Sequence, residues 1–266
     1  GAAATYDVFY KKLTKGSGAS WTVESAQTVL DGITPATSCA TANNGSYSYA
    51  VIEVEGATRL WLATRCFDGT NYQISVYYSD GFTASPTWTQ SIANLETPVT
   101  DNNTHWPMIV RFGSKIGVIY PILVGTNNIR WRYRADTDSL TSWVAETTIT
   151  SNGAAWSNMS GSAVGDSAGN IYLSVGVGTS IDFIYFNGST WSTVSRPFNG
   201  TGTNGTSVVS VATDGTNVWI LTNAATGLSS ALSGQRKLVY KKGVPPFTAS
   251  DFDATATNLV SYHGTF

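Results

Sequence analysis

Five segments of this 266-residue chain repeat one pattern: an alternating strand around a tyrosine, a turn-rich stretch, then an aromatic on a second short strand. The tyrosines are Tyr10, Tyr78, Tyr133, Tyr185 and Tyr240, with Val8, Val76, Trp131, Phe183 and Leu238 two residues before them. The aromatics that follow are Trp21, Trp88, Trp143, Trp191 and Phe252, spaced 67, 55, 48 and 61 residues apart. A period of this size describes stacked supersecondary units, because one unit cannot bury its own apolar face.

Two more strand-like runs lie between each aromatic and the next tyrosine. They are Tyr49–Val54 and Arg59–Ala63, Pro107–Phe112 and Ile116–Tyr120, Ser162–Val164 and Ile171–Val175, and Val208–Ala212 and Val218–Thr222. Gly56, Gly113, Gly169 or Gly215 separates the members of each pair, as a tight hairpin turn requires. Each unit then has four antiparallel strands, A to D, with the tyrosine on C and the aromatic on D. Only Ala224–Gly234 leaves room for a helical turn or two. Four-stranded sheets repeated around an axis make a β-propeller. The expected fold is all-β: one domain over 1–266, a five-bladed propeller of four-stranded antiparallel blades. Blade 1 supplies strands C and D over about 5–24, and blades 2 to 5 cover about 47–93, 105–148, 158–195 and 206–254. Leu259–Phe266 is expected to return as closing strand A. No strand B remains. The closing blade is therefore three-stranded, or completed by residues outside this chain, or completed by another chain adding a strand to an open edge.

A net charge of -2 and a pI near 5.6 provide no basic stripe for phosphates, so nucleic acid is not an expected partner. No run of 18 apolar residues reads as a membrane span. The opening Gly1-Ala2-Ala3-Ala4 reads as a processed or trimmed start rather than a signal peptide. Low charge with abundant Ser, Thr, Asn and Gly points to a secreted or extracellular protein. Sequons at Asn44, Asn102, Asn158, Asn187, Asn199 and Asn204 point the same way. Cys39 and Cys66 read as a disulfide, since a D–A loop and a B–C loop of one blade share an end; two buried thiols are the alternative.

A binding site is expected at that end. Tyr49, His105, Trp106, Trp156 and Tyr262 cluster at the entrances to strand A, with Arg65 and Arg111 near inner-strand or loop positions. Aromatics edged by hydrogen-bonding groups suit a pyranose, whose faces carry C–H groups and whose rim carries hydroxyls. Packing of these rings between loops is the competing reading. Glycoside hydrolysis needs one protonated and one ionised carboxyl. The acids at that end are Asp31, Glu53, Asp68, Glu96 and Asp101; Asp101 beside His105 also reads as a loop-capping residue. No catalytic residue is assigned. Two histidines without an acid cluster at ligand spacing imply no metal, and no cofactor motif is present.

The segment Tyr78-Ser79-Asp80-Gly81 through Thr87-Trp88 resembles the Asp-box of sialidase-like propellers. Gly188-Ser189-Thr190-Trp191 and Gly18-Ala19-Ser20-Trp21 resemble eroded copies, and Asp136–Trp143 keeps the acid and the tryptophan. The resemblance implies that these boxes are structural and lie opposite the active face. In sialidases it would also imply three arginines gripping a carboxylate, a Tyr–Glu pair and an acid. Arg59, Arg65, Arg111, Arg130, Arg132, Arg134, Arg196 and Arg236 do not assemble into that triad by position. Three functions follow from these readings. One is a non-catalytic extracellular propeller binding carbohydrate or cell-surface partners, as a module with flanking domains. Another is a structural subunit of a cell-surface, filament or viral assembly using strand exchange. The third is a sialidase-like glycoside hydrolase.

Overall fold

The computed structural model describes residues 8–10, 13–17, 20–23, 25–30, 47–55, 59–67, 72–81, 87–92, 95, 107–122, 128–151, 161–177, 180–198, 209–224 and 237–261. They form twenty β-strands and one 3-10 turn, Ala249–Asp251, with no α-helix among them. The chain divides into two compact units. Gly1–Asn102 with Ser139–Thr141 is the first; Asn103–Asp138 with Ser142–Phe266 is the second.

In the first unit, β1 (Val8–Tyr10) pairs with β4 (Gln27–Leu30), and β2 (Leu13–Lys15) with β3 (Trp21–Val23). They form two separate two-stranded sheets over the segment expected to supply strands C and D. The sheet β5–β8 follows (Tyr47–Glu55, Arg59–Phe67, Tyr72–Ser79, Trp88–Ile92), antiparallel in chain order. Trp61 is fully buried within it and donates its indole N–H to Glu55 at 2.5 Å, while Arg59 pairs with the same carboxylate at 3.4 Å.

The second unit holds three further sheets. They are β9–β12 (Met108–Phe112, Lys115–Ile122, Asn128–Ala135, Thr147–Ser151), β13–β16 (Gly161–Gly165, Ile171–Val177, Ser180–Phe186, Ser195–Phe198) and β17–β20 (Val209–Thr213, Val218–Ala224, Lys237–Gly243, Thr257–Ser261). Each is a four-stranded antiparallel meander. The first strand β13 neighbours both β9 and β17. Every residue of β14 is buried, because this strand lies between two sheets and has no solvent face. Gly165 permits that closeness: a Cβ there would meet the Arg111 carbonyl oxygen at 2.1 Å. At the β17–β18 turn Gly215 has φ +88, which a side chain would resist.

The repeat aromatics hold the sheets together. Trp131 on β11 meets Phe186 and Trp191 of the next sheet, with ring centroids 4.9 and 5.1 Å away. Phe183 on β15 likewise receives Phe252 at 5.2 Å and Phe247 at 5.7 Å. In both copies the aromatic after strand C lands on strand C of the preceding sheet.

The structure revises two expectations. Trp143, Trp191 and Phe252 precede their fourth strands instead of lying on them. Trp191 and Phe252 make isolated bridges to Phe186 and Gly243 while their rings reach the neighbouring sheet, and the ladder resumes afterwards at Ser195 and Thr257. The three sheets of the second unit consequently extend to Ser151, Phe198 and Ser261. Second, the expected closing strand Leu259–Phe266 is not free to close anything over its described part. Leu238 pairs with Val260 and Lys237 with Ser261, so this stretch is the fourth strand of the last sheet. No helix among the described residues is long and apolar enough to cross a membrane.

Candidate functional site

In each complete sheet the A–B and C–D turns share one end and the B–C and D–A connections share the other. Antiparallel pairing in chain order dictates this. Polar side chains organise the turn end. Asp80 accepts the Thr87 backbone N–H at 2.9 Å, and Asn187 accepts those of Ser189 and Thr190 at 3.0 and 2.8 Å. Asp253 accepts from the Lys242 N–H at 2.9 Å. These side chains act as turn caps.

Arg111 and Asp136 extend the same role. Arg111 lies next to Phe112 at the turn end of β9 and donates both amino groups to Asp136, at 2.5 and 2.6 Å. A forked guanidinium–carboxylate pair is directional and strong. Arg111 thus clamps the C–D turn of its sheet, away from the loop end where a ligand was expected. Arg65 does lie toward the loop end of β6, paired in register with Tyr49, and it is fully buried. His105, Trp106, Trp156 and Tyr262 lie outside the described residues, as do Cys39 of the expected disulfide, Asn44, Asn102, Asn158, Asn199 and Asn204. Asn187 is exposed in its turn.

Two polar clusters escaped sequence reasoning. Tyr120 on β10 and Arg130 on β11 are register partners, and both hydrogen-bond Glu146 just before β12. A tyrosine, a glutamate and an arginine could suggest an activated phenol. The environment works against this. Burial, then the Glu146 hydrogen bond and charge, push the Tyr120 hydroxyl well above its ordinary pKa. The Tyr120 hydroxyl keeps its proton and donates it in the hydrogen bond to Glu146. The alternation Arg130-x-Arg132-x-Arg134 was the readable signal, but the partner acid came from a different strand. The second cluster is Asp182, fully buried on β15, forked by Arg196 of β16 at 2.6 and 3.1 Å.

Asp166 shows what the carboxyls do. Burial pushes its pKa up, but hydrogen bonds from Asn170 and Tyr172 outweigh that and the net shift is downward. Tyr172 moves the opposite way, to about 12, through burial and then the Asp166 bond. The raised tyrosine stabilises the fold below its unfolded pKa of about 10, and that contribution is lost as pH rises through about 12. The wild-type urea midpoint should therefore fall above pH 10, and Tyr172→Phe should make the fall shallower. Identical slopes for the two proteins would refute this assignment. Exposed Asp214 is lowered to about 2 by hydrogen bonds from Asn217 and Thr216.

No protein-family model matches the chain, and no curated protein does. Solved structures do. An α-L-arabinanase from Penicillium chrysogenum aligns with TM-score 0.53 and 12% identity, covering 81% of this chain and 67% of that one. A lectin from Aleuria aurantia aligns with TM-score 0.53 and 13% identity, covering 94% and 71%. An ulvan lyase of polysaccharide lyase family PL25 aligns with TM-score 0.55 and 12% identity, covering 81% and 56%. These sheets have a β-propeller fold. At such identities the likeness speaks for the fold alone. With no family model matching, the sialidase-like resemblance rests on the Asp-box-like segments.

Proposed function

We propose that this chain is a non-catalytic, extracellular five-bladed β-propeller that binds glycans or other surface-displayed partners at its loop end. One observation carries the non-catalytic part. Every described carboxylate is already engaged by a backbone N–H or a structural side chain, while Asp31, Asp68, Glu96 and Asp101 lie outside the described residues. Glu53, Glu55, Asp136, Asp138, Glu146 and Asp182 illustrate this in the strands and turns. The two with shifted pKa values, Asp166 and Asp214, are lowered, which suits an ionised anchor and not a proton donor.

The glycan part is supported by the fold and by the aromatic residues expected at the loop end. The fold is shared with a lectin bound to Fucα1-6GlcNAc and an arabinanase bound to arabinobiose. Secretion, a Cys39–Cys66 bridge and sequon glycosylation belong to the same reading.

A glycan array tests it. Selective binding that falls at least about tenfold in Trp106→Ala or Trp156→Ala is the expected result, because stacked aromatic anchors dominate such contacts. No binding to any glycan overturns the glycan reading, and hydrolysis of an array sugar overturns the non-catalytic one.

A further inference from the structure

Two buried hydroxyls lie unpaired in the layer between the β13–β16 and β17–β20 sheets. Ser174 on β14 and Thr222 on β18 are 0% and 1% exposed, and Ser174 Oγ and Thr222 Oγ1 have no hydrogen-bond partner among the described residues. Register places both in the same layer. Ser174 pairs with Phe183, and Thr222 pairs with Val209 and Val239. Phe183, Val209 and Val239 belong to the apolar cluster that joins these two sheets. Residues opposite one another in a ladder share a face, so the two hydroxyls enter that cluster from its two sides. A third hydroxyl accompanies them. Ser162 is the register partner of Ser174, and its Oγ accepts the Val211 backbone N–H of the neighbouring sheet at 3.2 Å. That bond uses an acceptor site of Ser162 and leaves its proton to be donated.

Unpaired buried polar groups are rare, because each bears the full cost of leaving water. Lys241, on the same face as its register partner Ile220, does not serve these hydroxyls. Its ammonium donates to the Ala254 carbonyl at 3.2 Å and lies over the Phe198 ring. The missing partner must donate and accept, carry no charge and fit between packed sheets. A sugar ring is too large for groups this deeply buried. We infer that a single ordered water molecule binds here as part of the fold, hydrogen-bonded to Ser162, Ser174 and Thr222. Three hydroxyls supply the two to four polar partners that a buried water needs. The water links strands A and B of the two sheets, complementing the rings of Phe183, Phe247 and Phe252 from strand C and the connection after it. The site is independent of any glycan binding at the loop end.

Urea unfolding of the full chain tests this through the sign of two substitutions. Thr222→Val keeps the shape of the side chain and removes the hydroxyl. It should raise the unfolding constant about fivefold, as the loss of one buried hydrogen bond does. Ser174→Ala should act in the same direction. The double variant should fall short of the product, about 25-fold, because either change alone already loosens the shared water. Substitutions that lower the unfolding constant would show the hydroxyls to be bare, and would overturn the proposal. Effects that multiply in full would overturn it too. Oxygen-17 magnetic relaxation dispersion reads the site in the folded protein. The wild type should hold one more long-lived water than Thr222→Val, and equal numbers would sink the inference.

Discussion

Trp131→Ala should cost the second unit about 3–5 kcal/mol, the range for deleting a large buried aromatic side chain. The indole is 4% exposed and lies among four rings: Phe112, Tyr133, Phe186 and Trp191, with centroids 4.9 to 5.9 Å away. Two of these belong to its own side of the interface and two to the next sheet, so relaxation cannot close the cavity from one side. Each kilocalorie lowers the melting temperature of a unit this size by about 2–4 °C, so a fall of roughly 10 °C is expected. Trp21→Ala is the control. Trp21 occupies the same place in the repeat but is 58% exposed, and a surface change of that kind stays within about 0.5 kcal/mol. Urea unfolding followed by circular dichroism gives both numbers. Equal effects would mean that repeat position, and not burial against the next sheet, sets the cost.

That contrast marks how far the sequence could be read. The tyrosine with an apolar partner two residues earlier placed both side chains on one face of strand C, and the structure puts Trp131 and Tyr133 there together. Gly113, Gly169 and Gly215 located their hairpins, because a positive φ is a local demand, and Gly56 lies outside the described residues. Pairing partners are not local. Leu259 and Val260 look like any apolar strand, and alternation cannot say which edge they join; the ladder to Leu238 decided it. Arg111 sat on the expected strand, but its end was misjudged, although Gly113 two residues on marked the turn side. Glu146 is separated from Tyr120 by 26 residues, so only the register of β10 on β11 brings its partners together. The aromatic residues of the expected platform fall in connections, where strand periodicity carries no register information.

Arg196→Ala should destabilise the protein by about 3 kcal/mol, the lower end for breaking a buried ion pair, because the arginine side chain is 41% exposed. The asymmetry lies in the partner. Asp182 is wholly buried on the side of β15 that also carries Ile184 and Phe186, both of which pack against the β9–β12 sheet. Without the arginine fork a carboxylate is left among apolar groups with its charge uncompensated. In the intact protein the Asp182 hydrogen bond outweighs burial and holds the Arg196 charge more firmly than usual. Losing both charges is a different matter. Asp182→Leu with Arg196→Leu removes the need for compensation and should recover most of the loss, as replacing buried pairs by packed apolar residues often does. A shift of the urea midpoint without a change of slope measures each variant. If the double substitution were as damaging as Arg196→Ala alone, the cost would lie in lost packing of the arginine stem on the sheet edge, and Asp182 would not be the residue that makes Arg196 necessary.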